Sequence, residues 1–89
     1  MSEAYQLKIT QSAIEDFESI DVTQGKKIRQ KIQWLAENAE DIPHEALKGN
    51  LAGLFRYRFG DYRILYILDK QAKTIEISSV GHRRDVYDE

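Results

Sequence analysis

Apolar residues along the chain follow two different periods, and the change of period marks the elements. Residues 5–9, YQLKI, alternate, with Tyr5, Leu7 and Ile9 set against Gln6 and Lys8. Alternation of this kind predicts a half-buried strand. Thr10 then stands where a helix N-cap belongs, its hydroxyl able to take a backbone N–H of the first turn. A helix running to about Ile20 places Ala13, Ile14, Phe17 and Ile20 on one side and Glu15, Asp16 and Glu18 on the other. Asp21 or Thr23 caps a second helix, about 23–39, in which Ile28, Ile32, Leu35 and Ala39 form an apolar stripe. Trp34 falls off that stripe, either to pack against the first helix or to stand exposed for a partner. The short link between the two helices implies a helical hairpin.

Residues 40–53, EDIPHEALKGNLAG, hold the one proline and two glycines and are expected to form a loop. Three strands follow, about 54–59, 61–69 and 74–80. Gly60-Asp61 joins the first two and DKQAK the second and third, and links this short make antiparallel neighbours. The order β-α-α-β-β-β defines an α+β domain over 1–89, a small antiparallel-rich sheet with two helices packed on one face.

Alternation also sorts the hairpin's side chains. Phe55, Tyr57 and Phe59 share a face with Tyr62, Ile64, Tyr66 and Leu68, and this is the set suited to pack under helices. Arg56, Arg58 and Arg63, with Leu65, Ile67 and Lys8, are left on the open face. In the third strand Ile75 and Ile77 oppose Glu76, Ser78 and Val80, and Gly81 is expected to end the strand. An arginine cluster on an open sheet face has two readings. It can be a solubilising set of cross-strand ion pairs, or it can be an anion site, because the guanidinium fork fits phosphate bidentately. Leu65 and Ile67 on the same face suggest that something covers part of it.

The charge supports a local site. The net charge is −2, but residues 1–45 carry five basic and nine acidic groups, whereas residues 46–89 carry eight basic and six acidic. The chain has no cysteine, which excludes disulfides and thiolate metal sites. No apolar run reaches the roughly 20 residues of a membrane span, and the first residues lack the pattern of a signal peptide. A cytoplasmic protein with no membrane contact is expected. The tail VGHRRDVYDE, residues 80–89, adds His82, Arg83, Arg84 and Tyr87 beside the basic hairpin.

In the segments LKGNLAGLFRYRFG (47–60), DYRILY (61–66) and VGHRRDVY (80–87), and in its order of elements, the chain resembles the RelE-type toxins of the RelE/ParE toxin–antitoxin superfamily. The resemblance implies a type II toxin that cuts mRNA codons in the ribosomal A site. In that chemistry a 2′-hydroxyl attacks the adjacent phosphate without metal or other cofactor, and a cognate antitoxin neutralises the toxin. It assigns Arg63 and Arg83 to phosphate and transition-state stabilisation, and Tyr87 to general acid catalysis or base stacking. Where the best-known members have lysines, this chain has Arg56 and Arg58. Arginine is a poor base, so these two are expected to hold RNA, with Lys48, Arg84 and Lys8, and His82 becomes the candidate base or acid. Leu65 and Ile67 are the candidate antitoxin contacts, in a toxin–antitoxin hetero-oligomer. The alternative implied by the other branch of the superfamily is a ParE-type inhibitor of DNA gyrase without nuclease activity.

Overall fold

The computed structural model describes residues 4–82, so the expectations that fall on Arg83, Arg84 and Tyr87 lie outside the described residues. The elements are strand β1 (Gln6–Ile9), helix α1 (Gln11–Glu18), helix α2 (Val22–Glu37), strand β2 (Glu45–Ala46), strand β3 (Phe55–Phe59), strand β4 (Tyr62–Asp69) and strand β5 (Thr74–His82). A short 3-10 turn over Gly49–Leu51 lies between β2 and β3. The five strands form one sheet in the order β1-β5-β4-β3-β2. Three of its pairings are antiparallel, and β1 lies parallel to β5 at one edge.

Both helix starts follow from their caps. Thr10 Oγ1 accepts from Ala13 N at 3.1 Å, and the Asp21 carboxylate accepts from Thr23 N and Gln24 N. Each satisfies donors that the first turn of a helix leaves without intrahelical partners. The expected stripe packs, although α2 stops at Glu37, short of its last member: Ile28, Ile32 and Leu35 of α2, and Ala39 just beyond it, are buried with Ala13 against Ile64, Tyr66, Ile75, Ile77 and Val80 of the sheet. Trp34 takes neither of the two expected settings in pure form. It is 36% exposed, with its ring 6.1 Å from that of Tyr57 on β3 and the Lys31 ammonium 4.4 Å above it.

Five local readings are corrected. The stretch 40–53 is not all loop, because Glu45 and Ala46 pair with Arg56 and Phe55 to make β2. β1 is an exposed edge rather than a half-buried strand, with Leu7 and Ile9 open to solvent, and Ile14 of α1 is exposed as well. Gly81 does not end β5: it is buried within the strand and pairs with Arg63. Val80 belongs to the core, not the open face. The reason is a bulge: Leu65 pairs with Ser79 and Tyr66 with Ile77, so Ser78 is the extra residue. One inserted residue exchanges the two faces of everything beyond it. Val80 therefore joins Ile75 and Ile77 under the helices. The Thr10 hydroxyl donates to the Ser78 carbonyl at 3.1 Å, so the residue that caps α1 also holds the bulge.

Candidate functional site: an arginine face with its own carboxylate

The β3–β4 hairpin turns at Gly60, whose φ of 61° is the left-handed conformation that glycine adopts without strain. The tight turn fixes the register, and the register fixes the arginines. Arg58 lies directly opposite Arg63, and Arg56 directly opposite Leu65. Side chains of facing residues share one side of the sheet. Extending the pairing across the sheet gives rows on the face away from the helices. One row runs Glu45, Arg56, Leu65, Ser79. The next runs Arg58, Arg63, Gly81. A third joins Ile67, Glu76 and Lys8.

These rows separate the expected site residues into groups. Arg58 is exposed and Arg63 half-buried, side by side at the turn end of the hairpin. Directly opposed, the two guanidinium groups concentrate positive charge at this end of the face. Gly81 beside them contributes no side chain to that row. Arg56 differs from the other two: it is only 7% exposed, and it grips Glu45 with two parallel hydrogen bonds, Nε to Oε1 at 3.2 Å and Nη2 to Oε2 at 2.5 Å. Lys48 joins this group, since a cavity of about 340 Å3 is lined by Glu45, Ala46, Leu47, Lys48 and Arg56. Lys8 lies on the same face but in the third row, on the outermost strand.

Glu45 is the residue that pattern reading missed. Its hydrogen bond to Arg56 holds its pKa below the ordinary 4.5, and the charges of Arg56, Arg58 and Arg63 act in the same direction. All three arginines therefore lie within the field of this one carboxylate. Nothing in a segment containing proline and two glycines marks it as a strand residue. The one usable signal is its spacing, which puts an acidic residue on the strand that borders FRYRF.

His82 is not where the convergence of the tail on the hairpin had placed it. It pairs with Tyr62, the two rings 5.6 Å apart and edge-on, so it faces the helix side of the sheet while Arg58 and Arg63 face away. It lines a 480 Å3 cavity with Gln24, Lys27 and Asp61 and a 460 Å3 cavity with Asp16 and Ser19. Leu65 is also misjudged as a contact surface, being 5% exposed between Arg56 and Ser79, whereas Ile67 is 42% exposed. Among the described residues no group of three or more His, Cys, Asp or Glu side chains is placed to hold a metal ion. No helix among them is long and apolar enough to cross a membrane.

Residues 7–87 match the family described as the ParE toxin of type II toxin–antitoxin systems, and the chain belongs to that family, within the RelE/ParE superfamily. Its resemblances are to the RelE type. It is 46% identical over 41 residues to Toxin RelG of Mycobacterium tuberculosis, a match covering 46% of this chain and 47% of the relative, so it spans about half the length of that curated protein. The toxin in the RelBE2 toxin–antitoxin complex of Mycobacterium tuberculosis superposes with a TM-score of 0.84 at 27% identity, covering 96% of this chain and 98% of that one. The archaeal RelE–RelB complex of Pyrococcus horikoshii gives 0.72 at 24% identity, with 94% and 100% covered. The isolated RelE toxin of E. coli gives 0.71 at 18% identity, with 89% and 84% covered, a likeness of fold alone.

Proposed function

We propose that the protein is a ribosome-dependent mRNA endoribonuclease of a type II toxin–antitoxin system. The observation that carries this reading is the Arg58–Arg63 pair standing beside the Arg56–Glu45 ion pair on one sheet face. Arg58 and Arg63 offer two guanidinium forks to a scissile phosphate, the geometry that suits its oxygens. The same two guanidinium groups stabilise the additional charge of the pentavalent transition state. The 2′-oxygen attacks phosphorus, the bond to the 5′-oxygen breaks, and the products are a 2′,3′-cyclic phosphate and a 5′-hydroxyl.

The proton of the attacking hydroxyl goes to Glu45. As a carboxylate it is ionised at neutral pH, and the arginines that lower its pKa weaken it as a base in the absence of substrate. The phosphodiester monoanion of the substrate on Arg58 and Arg63 offsets the influence through which they depress that pKa, so substrate binding restores part of the carboxylate's basicity. Arg56 orients the carboxylate. This replaces the expected role of His82, which faces the other side of the sheet. Arg83 and Tyr87 keep the roles that the family resemblance assigns them, further phosphate contact for Arg83 and protonation of the leaving oxygen or base stacking for Tyr87. Lys48 and Arg84 extend the RNA-binding surface. The implied partners are the ribosome with bound mRNA and a cognate antitoxin, with Ile67 as the available apolar contact on the open face, and the implied location is the cytoplasm.

Primer-extension mapping of a defined mRNA in a reconstituted translation system tests the reading. Cuts within codons that require ribosomes, and that disappear in Arg63→Ala and Glu45→Gln, are expected. The family description names the ParE branch, and the resemblance to that branch implies one second reading, inhibition of DNA gyrase. An intact mRNA together with inhibited supercoiling would establish it in place of cleavage.

A further inference from the structure

The two-residue strand β2 is too short to fix its own position, yet it carries Glu45. What precedes it is a side chain held from three directions. His44 Nε2 lies 2.7 Å from the Ala39 carbonyl oxygen, and Nδ1 lies 2.6 Å from the Tyr66 hydroxyl. A carbonyl only accepts, so Nε2 carries the proton. In the neutral ring Nδ1 then accepts from Tyr66. The ring also stands edge-on to Phe55 at 5.8 Å and to Tyr66 at 5.7 Å. Turning the ring over would break both hydrogen bonds. Tyr66 has no exposed surface, and a buried hydroxyl carries a desolvation cost unless it is bonded.

This polar lock joins the residues after α2, strand β3 and strand β4 at one point. The hydrogen bonds of His44 are to Ala39 and to Tyr66, a core residue under the helices, and not to any residue of the arginine face. The next residue, Glu45, lies on that face. We propose that His44 is a positioning residue for Glu45: the Ala39–His44–Tyr66 lock holds β2 in register, so that the carboxylate meets Arg56 squarely and stays within the field of Arg58 and Arg63. The kinetic consequence rests on the nuclease reading; the effect on the Glu45–Arg56 pair does not.

The test uses the intact chain and two readouts. The first needs no RNA: the 13C chemical shift of the Glu45 carboxyl is followed against pH in wild type, His44→Leu, Tyr66→Phe and His44→Asn. His44→Leu and Tyr66→Phe should move the Glu45 midpoint up toward the ordinary value. His44→Asn, whose amide oxygen can again accept from Tyr66, should restore part of the difference. The second is ribosome-dependent cleavage. His44→Leu should lower kcat about tenfold to a hundredfold, the scale of a misplacement near 1 Å, with KM for the RNA within about twofold. In the Glu45→Gln background it should cost nothing further in residual activity.

A folded His44→Leu with an unmoved Glu45 midpoint overturns the proposal. So does an equal loss of kcat in both backgrounds, which would mark a purely structural role. If His44→Leu fails to fold, Tyr66→Phe, which removes a single oxygen, decides by the same two criteria. If wild type cuts no RNA, the nuclease reading fails and the titration alone decides the positioning claim.

Discussion

Replacing Thr10 by alanine tests whether one hydroxyl ties the first helix to the strand that aligns the site. Thr10 Oγ1 accepts from Ala13 N and donates to the Ser78 carbonyl, both at 3.1 Å. Thr10→Ala removes a helix cap, at about 1 kcal/mol. It also removes the partner of a part-buried carbonyl, at about 1 kcal/mol more. The expected loss is about 2 kcal/mol, which for a domain of this size lowers Tm by about 8–16 °C. Thr10→Ser retains the oxygen and should stay within about 0.5 kcal/mol of wild type. Urea titration followed by circular dichroism measures both variants, with an unchanged m-value required for the comparison. If Thr10→Ala cost no more than Thr10→Ser, the hydroxyl would not be holding the bulge, and the account of why Val80 reaches the core would lose its anchor.

Three further outcomes are expected. Glu45 has a lowered folded pKa, so its contribution to stability is present above the unfolded value near 4.5 and is lost as pH falls through the folded one. Glu45→Gln should therefore flatten the acid limb of a stability–pH profile, and an unchanged limb would contradict the pairing. Burial raises the Tyr66 hydroxyl well above its ordinary 10, so an unfolded chain loses that proton first and stability falls as pH rises past about 10. Tyr66→Phe should remove that alkaline loss in the same denaturation series. Finally, Arg58→Ala and Arg63→Ala should abolish growth arrest on expression while keeping the wild-type circular dichroism spectrum. Arg56→Ala should lower Tm as well, because its guanidinium is buried against Glu45. Full toxicity of a soluble Arg63→Ala would remove the arginine face from the mechanism.

Much of this was legible in the sequence because strong local signals agreed. Thr10 and Asp21 are good caps, Ile28, Ile32, Leu35 and Ala39 keep a helical period, and Gly60-Asp61 fixes a register that puts three arginines on one side. Legibility failed where the deciding interaction was not local. A two-residue strand has no periodicity to detect, so Glu45 was hidden until its pairing with Arg56 was visible. The bulge at Ser78 lies in a Ser-Ser pair where neither residue reveals a change of face, and it reverses the assignment of Val80 and settles the side of the sheet on which His82 lies. Leu65 alternates like an exposed residue, but its row is closed by a long buried arginine.

The parallel pairing of β1 with β5 also bears on how the molecule comes into being. Gln6 to Ile9 meet Thr74 to Ile77, and the Thr10–Ser78 bond spans 68 positions. The meander from β2 to β5 can close through short turns, but β1 has no sheet partner until Thr74 to Ile77 have been made. Contacts of such separation are slow to form because a long loop must be closed first. A nascent copy therefore passes through a long interval in which the N-terminal strand and the face it completes are unfinished. The edge of β5 that β1 covers stays unpaired through that interval.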